Sequence, residues 1–459
     1  MFSIGLRGKT RLCDGVTRRD LLQVGALSAL GMSLSDFRIA EAAGAIRPNA
    51  KAKSVILIFN CGAPSHIDLW DLKPDAPAEI RGPYKPINTN VSGIQVGELI
   101  PNLAKRADRY AIVRTVSHAQ SQHNSGMYNA IVGRPYPIDS TLINPTRNDF
   151  PSFGTLVGYL SQQSGYKSPV PPYVITPAPH CDSTVYITPG QYGGMLGARY
   201  DPFVLNSDPN ARNFKIPNLD PIPGLTLDRF SQRQSLLSTL DQGLKQMETQ
   251  GMRDMDVARS KAFDLVTSSA VRKAFDLREE SDKMRDRYGR HAWGQSHLLA
   301  RRLVEAGSKF VTTVNGQSII WDNHKDNFKR LENTLVPPME KAFVALLDDL
   351  QERGMLDSTL VVWMGDFGRT PKINQDAGRD HWPPCNSIVM AGGGIQGGQV
   401  VGESDAIGAY PVSRPLSPAD IHATVFHALG YDTDRTFYPS HDGRPIPLTS
   451  GTPVSELIS

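Results

Sequence analysis

An α/β fold on a largely parallel sheet, with helices on both faces, is what this sequence predicts. Three observations carry that expectation. Five short runs are continuously apolar and rich in β-branched residues, at 53–59, 111–116, 310–314, 359–364 and 387–391. That is the pattern of strands buried on both faces rather than one. Segments of helical spacing alternate with them. Most of the strands run into loops bearing His and Asp, and open α/β sheets bind ligands at the carboxyl ends of their strands.

The 459 residues are enough for one large domain or two ordinary ones. A net charge of +3, with 21% charged residues, gives no basic stripe and argues against a nucleic-acid partner. The 40 Gly and 34 Pro point to a loop-rich fold.

Residues 1–42 read as an export signal. Thr17-Arg18-Arg19-Asp20-Leu21-Leu22 resembles a twin-arginine motif, a weakly apolar run follows at 21–34, and Ala40-Glu41-Ala42 is a small-x-small cleavage site. That run is too short to span a membrane, and no later segment reaches 18 apolar residues. The expectation is a mature chain of 43–459, periplasmic or extracellular, forming a single domain with a loop-rich and helical insertion at about 169–300. Cys61, Cys181 and Cys385 would remain in it, an odd number that leaves at least one thiol free or paired between chains.

The first strand, 53–59, ends in Asn60-Cys61-Gly62-Ala63-Pro64-Ser65-His66-Ile67-Asp68. If this segment stays extended, His66 and Asp68 share a side and are candidate site residues. The second strand, 111–116, leads through His118, Ser121, His123 and Ser125 into a helix. Free backbone N–H groups point there, so the loop suits a nucleophile or an anion. Its chemistry does not separate those four candidates.

Ser152 is placed to cap the next helix. Residues 169–220 form a Pro- and Gly-rich excursion with one strand at 173–176, and 225–307 reads as several helices. Beyond the strand at 310–314, Asp322 and His324 stand two apart near its far end. An amphipathic helix at 338–353, stopped by Gly354, feeds the strand at 359–364. That strand delivers Asp366, and the same loop delivers His381, the carboxylate and imidazole a metal-assisted site needs. Gly392-Gly-Gly394 lacks the spacing of a dinucleotide fingerprint and reads as a turn. A last helix at 421–429 opens on Ser417-Pro418, with His422 and His427 as packing residues.

These residues carry a resemblance. Residues 356–368, Asp420-Ile-His-Ala-Thr-Val-Phe-His-Ala-Leu-Gly430, Asp442-Gly-Arg-Pro-Ile446 and Val132-Gly133-Arg134 resemble motifs of the alkaline phosphatase and sulfatase superfamily. Gly62-Ala-Pro-Ser-His-Ile-Asp68, Trp321-Asp-Asn-His324, Gly365-Asp-Phe-Gly-Arg-Thr-Pro371 and Gly378-Arg-Asp-His-Trp-Pro383 resemble, more closely, the bacterial, planctomycete-type domain-of-unknown-function 1501 family. The resemblance implies an alkaline-phosphatase-like three-layer α/β/α sandwich. It also implies a divalent cofactor, Zn, Mn or Fe, as one or two ions, held by Asp322, His324, Asp366 and His381. Two ligands of the superfamily's other site are replaced, by Cys61 and Phe367, and its nucleophile position falls at His123.

The resemblance therefore implies an exported hydrolase of phosphate or sulfate esters, acting on a small molecule or a polysaccharide. In it His123 serves as nucleophile or general base, His66 and Asp68 hold a second metal or orient the base, and Arg369 pairs bidentately with an anionic group. The other reading is an exported binding or scaffold protein that keeps the fold, with or without one structural metal. The sequence fixes neither oligomeric state nor substrate.

Overall fold

Asn60, Asn315 and Gly365 end three neighbouring parallel strands at one level, and that register builds the site. The computed structural model of the chain describes residues 50–181, 186–216, 268–316 and 318–458. The expected export signal and the helical stretch expected at 225–267 lie outside the described residues.

Eight strands form the central sheet: β1 (Ser54–Asn60), β2 (Tyr110–Val116), β3 (Tyr173–Thr176), β4 (Phe203–Val204), β5 (Phe310–Asn315), β6 (Thr359–Gly365), β7 (Asn386–Ala391) and β8 (Gln399–Val401). Their order is β8-β2-β7-β6-β1-β5-β3-β4. All pairings are parallel except those of β7 with β2 and β6. The link from β6 to β7 carries no crossover helix, so the chain returns antiparallel. β4, two residues long, escapes any reading of periodicity.

Both faces of the sheet are covered, which is why the strands read as unbroken apolar runs. On one side Ile56, Ile58, Val311, Val361 and Trp363 pack against α4 (Ala292–Glu305) and α5 (Val336–Glu352) through residues such as Leu299, Phe343 and Leu346. On the other, Val55, Leu57, Phe59, Val362 and Met364 pack against α2 (His123–Val132), α3 (Phe153–Gln163) and α6 (Pro418–Ala428). The fold is thus a three-layer α/β/α sandwich. Ser152 caps α3 by accepting Thr155 N–H, and α6 opens with a capping box, Ser417 and Asp420. α5 begins at Val336, just before Pro337 and Pro338, whose missing N–H groups accompany a widened π turn at Leu331–Leu335.

One local expectation is overturned. His66 and Asp68 are not on an extended segment but on a single helical turn, α1 (His66–Leu69), whose His66 carbonyl accepts both Trp70 and Asp71 N–H groups. The ladder ends at Asn60, and directly after Pro64 and Ser65 the chain coils, so the two side chains point to different partners. Cys61, Cys181 and Cys385 are all buried, and none of the three forms a disulfide among the described residues.

Three buried histidines tie the fold to pH. His422 fills a packing role, stacked on Phe153 at 4.2 Å, with Nε2–H donated to the Ala130 carbonyl in the last turn of α2 (2.8 Å). Burial pushes His422 and His297 down to about 4 and His180 to about 3. Above pH 6.5 these rings are neutral in folded and unfolded chain alike. Below it only the unfolded chain takes up protons, so stability falls by up to about 1.4 kcal/mol per pH unit for each ring until pH nears the folded value. His422→Gln should therefore lose less stability than the parent between pH 7 and pH 5, measured by urea denaturation at both. An unchanged difference between the two pH values would refute this.

Candidate metal centre

The loops leaving β1, β5 and β6 meet the first turn of α2. Asp366 follows β6, and its carboxylate accepts Gly62 N–H at 3.1 and 3.3 Å. Gly62 is needed there: its φ is +99°, and a Cβ would meet the Asp322 nitrogen and the Ile319 carbonyl oxygen at 2.6 Å. Asp366 Oδ2 also receives Nδ1–H of His123, the first residue of α2, at 2.6 Å. A carboxylate only accepts, so this bond assigns the His123 proton to Nδ1 and aims Nε2 away. His123 Nε2 is buried without a hydrogen-bond partner, 3.4 Å from Asp322 Oδ2.

Two more imidazoles repeat the arrangement. His381 gives Nδ1–H to the Ser121 carbonyl (2.6 Å) and brings Nε2 to 3.2 Å from Asp322 Oδ1. His324 gives Nδ1–H to Asp380 Oδ1 (2.6 Å) and brings Nε2 to 3.0 Å from both Asp322 Oδ1 and His381 Nε2. Three Nδ1 atoms are thus held by oxygen acceptors and three Nε2 atoms converge on one carboxylate. Outer partners of this kind fix the tautomer of metal-binding histidines. Two bare ring nitrogens 3.0 Å apart repel unless a cation or proton lies between them. Among the described residues, His123, Asp322 and His381 form the one group whose donor atoms converge closely enough for a metal ion. Two imidazoles and a carboxylate, with room for a further ligand, fit Zn²⁺, Mn²⁺ or Fe.

The electrostatics agree. Burial opposes charge on Asp322, but His123, His324, His381 and Arg369 outweigh it and hold the carboxyl far below its usual range. Burial likewise opposes a charged His123, yet Asp322 and Asp366 lift its imidazole to about 9. Without a metal, the pocket therefore captures a proton instead.

Other expected site residues are placed otherwise. Asp366 stands behind His123 rather than in the convergent set. Arg369 is fully buried: its guanidinium spans the carbonyls of Ala63 (2.9 Å), Gly62 and Arg379 (3.1 Å) and reaches Asp322 Oδ1 at 2.6 Å. With every face used, it braces Asp322 and presents no open fork to an anion. His66 donates Nε2–H to the Gly408 carbonyl (3.0 Å), and its Nδ1 faces Arg369 N–H at 3.4 Å. Asp68 pairs bidentately with Arg379, both contacts at 2.9 Å, and also accepts from Asn327. His118 Nε2 bonds the Asp366 carbonyl at 2.7 Å. His66, Asp68, His118 and His123 do not converge, so no second metal centre is built from them. Phe367 instead packs its ring on His123 (5.1 Å) and His381 (4.7 Å).

The loops are strained where they meet. Seven described non-glycine residues have positive φ, and five of them, Ala63, Ser318, Ile319, Asp326 and Ala377, lie in these loops. Such strain persists only where surroundings over-determine the backbone, and it gathers at functional sites. Reading the sequence missed Asp380, although it directly precedes His381 in Gly378-Arg-Asp-His-Trp-Pro383.

No curated protein matches the chain. Among solved structures, it is similar to a protein of the alkaline phosphatase superfamily from Vibrio parahaemolyticus, at 11% identity and TM-score 0.38, covering 87% of this chain and 76% of that one. It is similar also to the PsFucS1 sulfatase from Pseudoalteromonas sp., at 13% identity and TM-score 0.36, covering 86% and 72%. A TAB5 alkaline phosphatase variant with Mg bound gives 11% identity and TM-score 0.39, covering 83% and 99%. The model of the family described as "Protein of unknown function (DUF1501)" matches residues 52–458. With nearly every described residue inside that match, the chain belongs to the DUF1501 family.

Proposed function

We propose that the protein is an exported, metal-dependent hydrolase of phosphate or sulfate esters, with a divalent ion held by His123, Asp322 and His381. The observation that carries this reading is the convergence of bare Nε2 atoms on Asp322, each ring fixed from behind by an oxygen acceptor. A Zn²⁺, Mn²⁺ or Fe ion bound there supplies Lewis acidity toward an ester oxygen and toward water. The chain's own groups do the rest. Asp366 holds His123 in its tautomer, and Arg369 holds Asp322 in place. His324, with its side chain 44% exposed and oriented by Asp380, stands at the rim as the group that takes and returns a proton. That assignment moves His324 and Asp366 out of the ligand set expected from sequence and moves His123 into it. His66 and Asp68 become frame rather than machinery.

The twin-arginine motif supports export, and among the described residues no helix is long and apolar enough to cross a membrane. Small-molecule and polysaccharide esters are the substrate classes that the sequence resemblance favours. The buried Cys61 and the Phe367 ring, in place of two superfamily ligands, favour the second reading, a non-catalytic exported binding or scaffold protein with or without one metal.

The test is metal content of the purified protein, with turnover of aryl phosphate and aryl sulfate esters, alongside His381→Ala and His324→Gln. The expected result is one equivalent of metal in the parent and less than about a tenth of that in His381→Ala, since losing a ligand costs at least the roughly 10–100-fold in affinity that outer-partner changes cost. His324→Gln should keep the metal and lose turnover. Metal without turnover of any ester, or a metal-free parent, would overturn the hydrolase reading and leave the scaffold.

A further inference from the structure

The loop after α2 holds the first turn of that helix from outside. Gln122 is the N-cap of α2, but its side chain makes no capping bond. The cap comes from Asp139 instead. Its carboxylate accepts Ser121 N–H (3.0 and 3.2 Å), Gln122 N–H (3.0 Å), Ser121 Oγ–H (2.9 Å) and Ser125 Oγ–H (2.6 Å). The neighbouring residues of the loop add to the grip: Asn124 Nδ2 donates to the Thr141 carbonyl at 2.7 Å, and Ser140 N–H donates to Ser125 Oγ at 3.2 Å.

Two of the three candidate ligands depend on this first turn. His123 is its first residue. His381 is aimed by the Ser121 carbonyl at 2.6 Å, and Ser121 is the residue that Asp139 clasps through both its N–H and its hydroxyl. An anionic carboxylate at a helix N-terminus is also stabilised by the helix dipole. Although burial opposes its charge, the bonds from Ser125, Ser121 and Gln122 hold the Asp139 carboxyl below its usual range.

We infer that Asp139 is a positioning residue for the metal centre, acting through the Ser121 peptide on His381 and through the first turn of α2 on His123. Asp139 touches neither the candidate ligands nor the space between them. It sets where two of them point. This inference rests on the metal reading above.

The experiment is titration of the full chain with Co²⁺, followed by its visible absorption, which reports ligand geometry. The parent, Asp139→Asn, Ser125→Ala and Ser152→Ala are compared, with thermal unfolding of each. Ser152→Ala removes an equivalent cap from α3, remote from the site, and controls for lost stability alone. The expected result is a Co²⁺ affinity lower by about tenfold or more and a shifted spectrum in Asp139→Asn, the scale of an outer-partner change. Ser125→Ala, which deletes one bond to Asp139, should move the same way by less. Ser152→Ala should lower the melting temperature and leave affinity and spectrum unmoved. Parental affinity and spectrum in Asp139→Asn would overturn the inference while leaving the metal reading intact. Equal losses of affinity in Ser152→Ala would also overturn it. Failure of the parent to bind Co²⁺ would remove the metal reading itself, and this inference with it.

Discussion

Asp322→Ala is expected to give a chain that folds but no longer retains a divalent ion. The carboxylate is the common partner of three imidazoles and of Arg369. Removing it leaves His123 Nε2 and His381 Nε2 without the oxygen donor that completes their set. It also removes the negative charge that offsets a bound cation and the Arg369 guanidinium. Changes to outer partners alone cost 10–100-fold in metal affinity, so loss of the central ligand should cost more than about 100-fold. Isothermal titration with Zn²⁺ and Mn²⁺ reads this directly. Arg369 keeps its three backbone carbonyls, and Asp322 is partly open to solvent, so the stability loss should be smaller than the roughly 3–5 kcal/mol that stranding a fully buried partner costs. An Asp322→Ala protein with parental affinity would mean that the ion, if any, sits elsewhere.

Asp68→Ala should have the largest effect on stability and the least specific effect on chemistry. The Asp68 and Arg379 side chains are both fully inaccessible to solvent. Arg379 crosses the core beneath the loop that carries Asp380 and His381, with further bonds to the carbonyls of Ile80, Thr370 and Pro371. Deleting one partner of a buried pair strands the other charge, at a cost of about 3–5 kcal/mol. The double replacement Asp68→Leu with Arg379→Met should recover much of that, because the stranded charge is gone. Denaturant midpoints of the two variants check both statements. Parental stability in Asp68→Ala, combined with lost ester turnover, would instead put Asp68 in the reaction.

The sheet was legible because burial on both faces leaves an unmistakable run of β-branched and apolar residues. β1, β2, β5, β6 and β7 fall within a residue of their expected bounds, and β3 falls on them. Helix starts were legible where nearby side chains cap their own turn, Ser152 at α3 and the Ser417 and Asp420 pair at α6. The edge that carries the candidate metal centre was legible too, since strand direction alone determines it. Of His118, Ser121, His123 and Ser125, which sequence left unseparated, His123 joins the candidate metal group, held by a bond to Asp366 between residues 243 apart in the chain.

Chain order by itself thus determined the layers, the strands and the set of His and Asp residues delivered to one edge. Family membership followed from the same motifs. Only the tertiary structure decided their partners. The register that aligns Asn60, Asn315 and Gly365 brings Gly62, Asp322 and Asp366 to a common level, and a helical turn after Pro64 diverts His66 and Asp68 from it. Asp139 and Asp380 acquire their partners through loops whose paths no local pattern encodes. The physical reason is one of range. Propensity and periodicity act over a few residues, whereas a carboxylate chooses among imidazoles by an ångström or less, and that choice is made by the packing of the whole sheet.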